Sequence, residues 1–539
     1  MKNNLKYTLF TIALLSALMV STSCEDLTEL NDNPNGITLE NANANLLLAT
    51  VLTESAKTYA RLGFSVSGVM QYTQKDAWLT GHNQYVWSDQ GWGGYYGILR
   101  TNDKMLERAE ETDLVFHQGV GLIMKSFLFG TITDLWGDAP YSNALQGDEG
   151  GNANLLPVYD RQEDIYRGII ADLERADELL GGDPGSYIGI DENSDVVYGG
   201  DAAQWQKLAN SLLLRYYMRL SEKDPAFAQS GFEATASRPL LSSNDDNASV
   251  AYLGITQDDS WQLSTDFNIE RNYRNHKMAK TIVDTLKSLN DPRLAVWANP
   301  VEIPLAFTDD PSQHDQIIDG VRYLDPNQVE VDIDTSSLYV GLPPAIGAPD
   351  QYNLNPTPGQ ESFNPHVSYL SELYQKSADD LLQAELIMFS EVSFLLSEAA
   401  LSGWAVPGDA PSHYQNGIRA SLERWAVNDT EIEAYLMSPE VAFDGTLERL
   451  IEQKWIAQWL HAEPWFDYRR TGLPVLESGP TARQPVIPVR YVYSEDEVNF
   501  NRDNAEQAIN RLQETSFAIE GKNSPWAKMW LIEGLDVPW

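Results

Sequence analysis

The chain has 539 residues, of which 43% are hydrophobic and 10% aromatic, enough apolar material for a large buried core. Its 78 acidic and 37 basic residues give a net charge of −41 at pH 7, and no basic patch stands out, which excludes the phosphate-binding surface that nucleic-acid recognition requires. Because the one cysteine is Cys24, neither an intramolecular disulfide nor a cysteine-based metal site can form.

The N-terminus has the pattern of a secretory signal over residues 1–23. A basic start precedes an apolar run over 7–20, which is shorter than the ~20 residues of a membrane-spanning helix, and small residues come just before Cys24. A cysteine directly after small residues is similar to the lipobox of bacterial lipoproteins. We therefore predict that residues 1–23 are removed, that Cys24 is lipidated and that 24–43 form a leader; the alternative is an ordinary secreted protein with a chance cysteine near the cleavage site.

Five stretches in the first half repeat apolar residues at helical spacing, over 44–62, 95–109, 114–135, 157–180 and 201–220. Successive antiparallel pairs of such helices, each buried against the next, are typical of tetratricopeptide repeats. In the last stretch, Asp201 and Gln204 have the spacing of a capping box ahead of an apolar stripe. Arg215 and Arg219 lie off that stripe, which predicts a solvent-exposed opposite face.

A polar loop over 70–90 carries Trp78, Tyr85 and Trp87 without a helical or two-residue period. A flat ring can pack against the apolar face of a pyranose while neighbouring amides and carboxylates bind its hydroxyls, so these residues predict a sugar-binding surface. The alternative is that the rings cap the helical core beneath the loop.

The helical period mostly fails over 221–373, apart from a short helix over 277–289. Irregular segments of this length inside one fold are generally functional. From this segment we add Trp261, Arg271, Asn272 and Tyr273 to the predicted ligand-binding set.

No motif predicts catalysis or a cofactor. The seven histidines show no metal-binding spacing on a helix, and HExxH, GxSxG and P-loop patterns are absent from the sequence. Asp332, Asp334 and Ser336 could bind a calcium ion, but alternating acidic residues also occur on solvated strands, so we expect no metal. Paired carboxylates could form a glycosidase, yet no pair stands out among 78 acidic residues. We predict no catalytic residues and a binding function.

Helical periodicity resumes over 384–404, 413–425 and 446–460. Motifs with fixed spacing occur in order along the chain: D-x-x-G-D-x-P-Y-x-x-A-L at 134–145, P-x-Y-D-x-Q-x-x-I-Y at 157–166, W-x-K-x-A-N-S-L-x-L-R at 205–215 and W-x-D-x-R-R-x-G at 465–472. Together they resemble the SusD/RagB family, surface lipoproteins of Gram-negative bacteria that capture nutrients, usually glycans, for a TonB-dependent transporter.

The resemblance implies a mainly α fold, with a tetratricopeptide-like scaffold and a large loop-rich insertion in a single SusD-like domain. The implied divisions are the domain at 44–539, its scaffold at 44–220 and 374–460, the ligand-binding elaboration at 221–373 and a C-terminal segment at 461–539. It further implies a non-catalytic, glycan-binding lipoprotein anchored in the outer membrane at the cell surface through Cys24, and a SusC-like TonB-dependent transporter as partner. Peptide capture is the alternative within the family, and a surface glycoside hydrolase is the alternative outside it.

Overall fold

Long helices that pack against one another in chain order form the first half of the protein. The computed structural model describes residues 43–87, 90–336, 338–355, 363–535 and 537; the predicted signal peptide, Cys24 and almost all of the leader lie outside these residues. The helices are α1 Ala44–Ser65, α2 Gly93–Glu111, α3 Val115–Trp136, α4 Asn152–Leu155, α5 Gln162–Leu180, α6 Ala202–Arg219 and α7 Pro225–Thr235. Helix α3 packs against α2 and α5, and α6 packs against α5 and α7. This arrangement confirms the predicted mainly helical scaffold.

Short helices and strands make up the middle of the chain, and helices return after it. The middle elements are β1 Thr73–Lys75, β2 Ala248–Ala251, α8 Glu270–Arg274, β3 His276–Met278, α9 Lys280–Leu289, α10 Arg293–Trp297, β4 Leu305–Phe307, β5 Gln316–Ile318, β6 Val321–Leu324 and β7 Gln383–Ile387. The later helices are α11 Phe389–Leu401, α12 Ala410–Arg424, α13 Asp429–Leu436, α14 Leu447–Ala457, α15 Glu463–Thr471, α16 Glu495–Phe500 and α17 Arg502–Arg511.

The strands pair in three small sheets, ordered β1–β3, β2–β7 and β4–β6–β5. Strand β7 corrects the sequence-based prediction, which extended one helix over 384–404. Its residues pair antiparallel with β2 instead, and the helix begins at Phe389. Helical spacing alone could not separate them, because a short apolar run fits either a buried strand or a buried helix.

Helix α6 confirms half of the predicted capping box. The Asp201 carboxylate accepts hydrogen bonds from the backbone N–H groups of Ala203 and Gln204. The reciprocal bond is missing, because the Asp201 N–H donates to the Tyr198 carbonyl and the Gln204 Oε1 has no partner in the described part of the chain. One carboxylate is therefore sufficient to start this helix.

The part of the opposite face of α6 that carries Arg215 and Arg219 is buried, which contradicts the predicted exposure of these two residues. The Arg215 Nε donates to Glu391 Oε1 on α11 at 2.6 Å, and Arg219 pairs with Glu463 on α15. Arg215 Nη1 also lies 3.5 Å from Glu463. These bonds join helices from both ends of the chain, and Ala44–Trp539 forms one compact unit.

Helix α3 is, among the described residues, the one helix long and apolar enough to cross a membrane by length and composition. Its most apolar stretch is 78% buried inside the protein. That burial, against α2 and α5, accounts for its apolar composition as the central helix of the scaffold.

Candidate functional site

A two-stranded sheet brings the early aromatic loop to the mid-chain segment. Strand β1 pairs antiparallel with β3, so that Lys75 lies opposite His276. Beyond the strand, the Asp76 N–H donates to the Asn275 carbonyl. The Asn83 side chain closes the loop by accepting from the Lys75 N–H at 2.9 Å and donating to its carbonyl at 2.7 Å. Residues about 200 positions apart in sequence thereby share one surface.

This junction forms a cleft of about 340 Å³, within the size range of small-ligand sites. We call it the Trp78 cleft. Its lining residues are Phe64, Lys75, Trp78, Gln262, Leu263, Asn272, Asn275 and His276. Of the seven predicted ligand-binding residues, Trp78 and Asn272 line the Trp78 cleft. A third, Arg271, contacts the Trp78 ring at the edge of the cleft.

Trp78 has the properties of a binding platform. Its side chain is 65% exposed, and its backbone has a left-handed φ of +54°. That conformation is disfavoured for a bulky residue, costs about 1–3 kcal/mol and is concentrated at functional sites. The Arg271 guanidinium lies 5.8 Å from the centre of the indole ring, within the distance of a cation–π contact. The large ring thus presents an exposed face at the cleft, beside a guanidinium group.

Two amide groups of the cleft have unused hydrogen-bond donors. Asn275 is 2% exposed, and its Nδ2 has no partner in the described part of the chain. The Nε2 of Gln262 is likewise buried without a partner among the described residues. A buried donor without a partner costs roughly 1–3 kcal/mol, so a ligand acceptor at these positions would recover that energy.

His276 presents an acceptor. Its Nδ1 lies 2.7 Å from the Asn272 carbonyl oxygen, which can only accept, so the ring proton is on Nδ1 and Nε2 carries a lone pair. Burial, together with the nearby charge of Lys75, lowers the pKa of His276 to about 3. The ring is neutral at physiological pH, and the cleft thus offers both donors and an acceptor beside an aromatic face.

Three of the predicted ligand-binding residues are buried, which contradicts their prediction as exposed platforms. Tyr85 and Tyr273 are fully buried, and the Tyr273 hydroxyl donates to the Leu370 carbonyl at 2.5 Å. Trp261 is 6% exposed and packs edge-on against Phe64 with 5.8 Å between ring centres. Trp261 thus supports a residue that lines the cleft without facing it. These rings lack a regular period because they come from irregular chain, yet irregular chain can still pack into a core.

Trp87 lies at a different cleft. Its indole N–H donates to the Gly81 carbonyl at 3.0 Å, and its ring packs edge-on against Trp465 and Tyr491. This second cleft, of about 610 Å³, is lined by Trp87, Arg483, Val492, Tyr493, Glu495, Val498, Asn499, Glu520, Asn523 and Pro525. The structure therefore does not bring Trp87 together with Trp78.

Sequence reasoning missed Phe64, Lys75, Gln262, Asn275 and His276. Lys75 and His276 belong to short strands that have no recognisable two-residue pattern. Gln262 directly follows the predicted Trp261, and Asn275 lies two residues after the predicted Tyr273. A wider window around the predicted residues would have included both amides.

The described lining of the Trp78 cleft contains no acidic residue. Glycosidases require two carboxyl groups flanking the bond to be cleaved, and no Asp or Glu lines the Trp78 cleft within the described ranges. Nor do any three His, Cys, Asp or Glu side chains in those ranges approach closely enough to hold a metal ion. Asp334 Oδ1, one of the three proposed calcium ligands, accepts from the Ser336 N–H at 2.8 Å.

Solved structures with similar folds cover almost the whole chain. A SusD homologue from Bacteroides fragilis is 22% identical, with a TM-score of 0.73, and the match covers 91% of this chain and 100% of that one. A second homologue from the same species is 24% identical, with a TM-score of 0.69 and coverage of 90% and 99%. A structure described as a chitin-binding protein is 23% identical, with a TM-score of 0.72 and coverage of 91% and 99%. No curated protein matches the chain significantly.

The family model decides the assignment, since structural likeness at this identity shows the fold alone. The model for SusD-like proteins, described as starch-binding and associating with the outer membrane, matches residues 34–313 and 345–494. The matched ranges include the helical scaffold and most of the Trp78 cleft's surroundings. This chain belongs to the SusD-like family.

Proposed function

We propose that this protein is a non-catalytic glycan-binding lipoprotein of the outer membrane that holds its ligand in the Trp78 cleft. It delivers the ligand to a SusC-like TonB-dependent transporter and is attached to the cell surface by lipid at Cys24. The family description, starch-binding and associating with the outer membrane, supports the class of ligand and the location.

The observation that carries the proposal is the strained, exposed Trp78 beside unpartnered amides. An indole that is 65% exposed provides an apolar face for a sugar ring, while Gln262, Asn275 and His276 provide the hydrogen-bonding groups that hydroxyls need. The absence of acidic residues from the described lining favours capture over hydrolysis.

The experiment uses lipid-free protein, produced from residue 25 onward, with a panel of polysaccharides in affinity electrophoresis. We expect one or more glycans to be retained with no new reducing ends, and retention to be lost in Trp78→Ala. The matched control is Trp404→Ala, a half-buried tryptophan that packs against Phe232 of α7. New reducing ends would support the hydrolase instead, and retention of peptides without any glycan would support peptide capture.

The transporter is tested separately. A tagged, full-length protein is purified from detergent-solubilised outer membranes, and co-purified proteins are identified by mass spectrometry. We expect a TonB-dependent barrel in stoichiometric amount; recovery of the tagged protein alone would contradict delivery to a transporter without affecting glycan binding.

A further inference from the structure

The Trp78 cleft contains a lysine without a counterion. Lys75 is half-buried and makes no ion pair with any residue that the structure describes; burial lowers the pKa of its ammonium group, and no carboxylate offsets this effect. Burying an ammonium group without a counterion is costly. Because the chain has 78 acidic residues, a partly buried lysine would be expected to have a carboxylate partner, and its absence among the described residues indicates a role for the free charge.

Arg271 adds a second positive charge at the same cleft. Its side chain is exposed, its guanidinium contacts the Trp78 ring, and it forms no ion pair with a described residue. A guanidinium stacked on an aromatic face keeps its N–H donors free for a carboxylate or sulfate.

Nearby acidic groups of the described residues form no ion pair with these two cations, although the charge of Asp76 also attracts Arg271. Asp76 pairs with the buried Lys277 at 3.3 Å, and Asp266 accepts a hydrogen bond from the Ser377 hydroxyl. Glu270 precedes Arg271 on α8 and is exposed. The histidines of this region, His82 and His276, are held neutral by burial, which lowers the pKa of each. The cleft is therefore locally positive on a molecule whose net charge is −41.

We infer that the preferred ligand is an acidic glycan, with a carboxylate or sulfate group bound between Lys75 and Arg271 while a sugar ring stacks on Trp78. This inference rests on the proposed function and narrows the class of its ligand. A ligand anion at this position would act as the counterion that Lys75 lacks in the free protein. Its oxygens would accept charge-assisted hydrogen bonds from Lys75 and Arg271, which are stronger than hydrogen bonds between neutral groups. Neutral glycans use the aromatic face and the amides alone and bind more weakly.

The experiment compares three groups of probes by calorimetry. Polygalacturonate and alginate oligosaccharides carry carboxylates, chondroitin sulfate carries both groups, and maltooligosaccharides, chitooligosaccharides and methyl-esterified galacturonate oligosaccharides are neutral. We expect at least one acidic probe to bind at least tenfold more tightly than its neutral counterpart. Its affinity should fall as sodium chloride is raised, because salt screens exposed charges.

Three variants locate the anion. Lys75→Met and Arg271→Met should each weaken acidic-probe binding about tenfold or more and weaken neutral-probe binding by a clearly smaller factor. Lys75→Arg, which keeps the charge, should retain most of the affinity. Arg175→Met is the matched control, because it removes an exposed arginine of α5 that pairs with Glu178.

Thermal melts show whether Lys75 is kept for binding rather than for folding. Because burial of the Lys75 ammonium is uncompensated in the free protein, Lys75→Met should melt at the same temperature as the wild type or higher. A lower melting temperature accompanied by equal losses for acidic and neutral probes would make Lys75 a structural residue and overturn the inference.

The remaining outcomes separate this inference from the proposed function. Trp78-dependent binding of neutral glycans only, or acidic-probe binding that survives both methionine substitutions, overturns the acidic-ligand inference and leaves glycan capture standing. Binding of no glycan, or of acidic peptides only, overturns both.

Discussion

Replacing Trp78 and Trp261 separately by alanine distinguishes a binding platform from a core aromatic. Truncating a fully buried tryptophan costs about 3–5 kcal/mol of stability. Trp261 is 6% exposed, so nearly all of that loss applies to it. Trp78 is 65% exposed, so only about a third of its surface contributes, and Trp78→Ala should lower the free energy of unfolding by about 1–2 kcal/mol at most.

Ligand affinity should fall more in Trp78→Ala than in Trp261→Ala, the reverse of the order expected for stability. A sugar ring stacked on Trp78 buries apolar surface worth roughly 1–3 kcal/mol, which corresponds to about 5- to 150-fold in affinity. Trp261 packs behind Phe64 and does not line the Trp78 cleft. The folded fraction of Trp261→Ala should therefore bind the glycan almost as tightly as the wild type.

Urea unfolding and calorimetry on the same two variants provide the test. We expect Trp78→Ala to bind weakly and unfold almost normally, and Trp261→Ala to unfold at much lower urea. The reasoning would be refuted if Trp78→Ala bound the retained glycan as tightly as the wild type, or lost more than about 3 kcal/mol of stability.

Three further predictions concern the scaffold and the anchor. Arg215→Ala leaves Glu391 buried without its partner and should cost about 3–5 kcal/mol in urea unfolding, whereas a loss below 1 kcal/mol would mean that water replaces the arginine. Burial opposes the charged forms of Glu385 and Glu463, but neighbouring cations more than offset this effect. The pKa of Glu385 falls from 4.5 to about 2, and that of Glu463 falls below its usual range. These depressed pKa values stabilise the fold above about pH 4.5, and the stability should be lost as pH falls from about 5 towards 2; a urea midpoint that stays constant from pH 6 to pH 3 would contradict this. Cys24→Ala should release the protein from outer-membrane fractions, because lipid at that position is the predicted anchor, and protein that remains membrane-bound and protease-accessible on whole cells would exclude it.

The candidate site was partly predictable from residue type. Trp78, Arg271 and Asn272 are aromatic and polar residues in irregular chain, a pattern that predicts a binding surface, and the structure places them at one cleft. The same criterion also selected Tyr85, Trp261 and Tyr273, which are buried. The criterion cannot separate the two groups, because exposure depends on which other segment covers a loop, and that segment is distant in sequence.

That the positively charged residues lie together at the cleft could not be predicted from the sequence, because their position depends on how strands β1 and β3 pair. Lys75 occupies a three-residue strand without a recognisable pattern, and its opposite residue, His276, is 201 positions away. Only the antiparallel register places Lys75 in one cleft with Trp78, which Arg271 contacts, and leaves it without an ion pair among the described residues.

Most of the helices and the family could be predicted from the sequence, because apolar spacing and fixed-spacing motifs are local properties that do not depend on distant neighbours. Helix α6 shows the limit: its stripe and its Asp201 cap were predictable, but the burial of Arg215 and Arg219 was not. A charged side chain is normally solvated, and it becomes buried only when opposite charges from distant segments surround it. Here Glu391 and Glu463, supplied by helices 176 and 244 positions further along the chain, meet that condition, and only the tertiary structure brings them to α6.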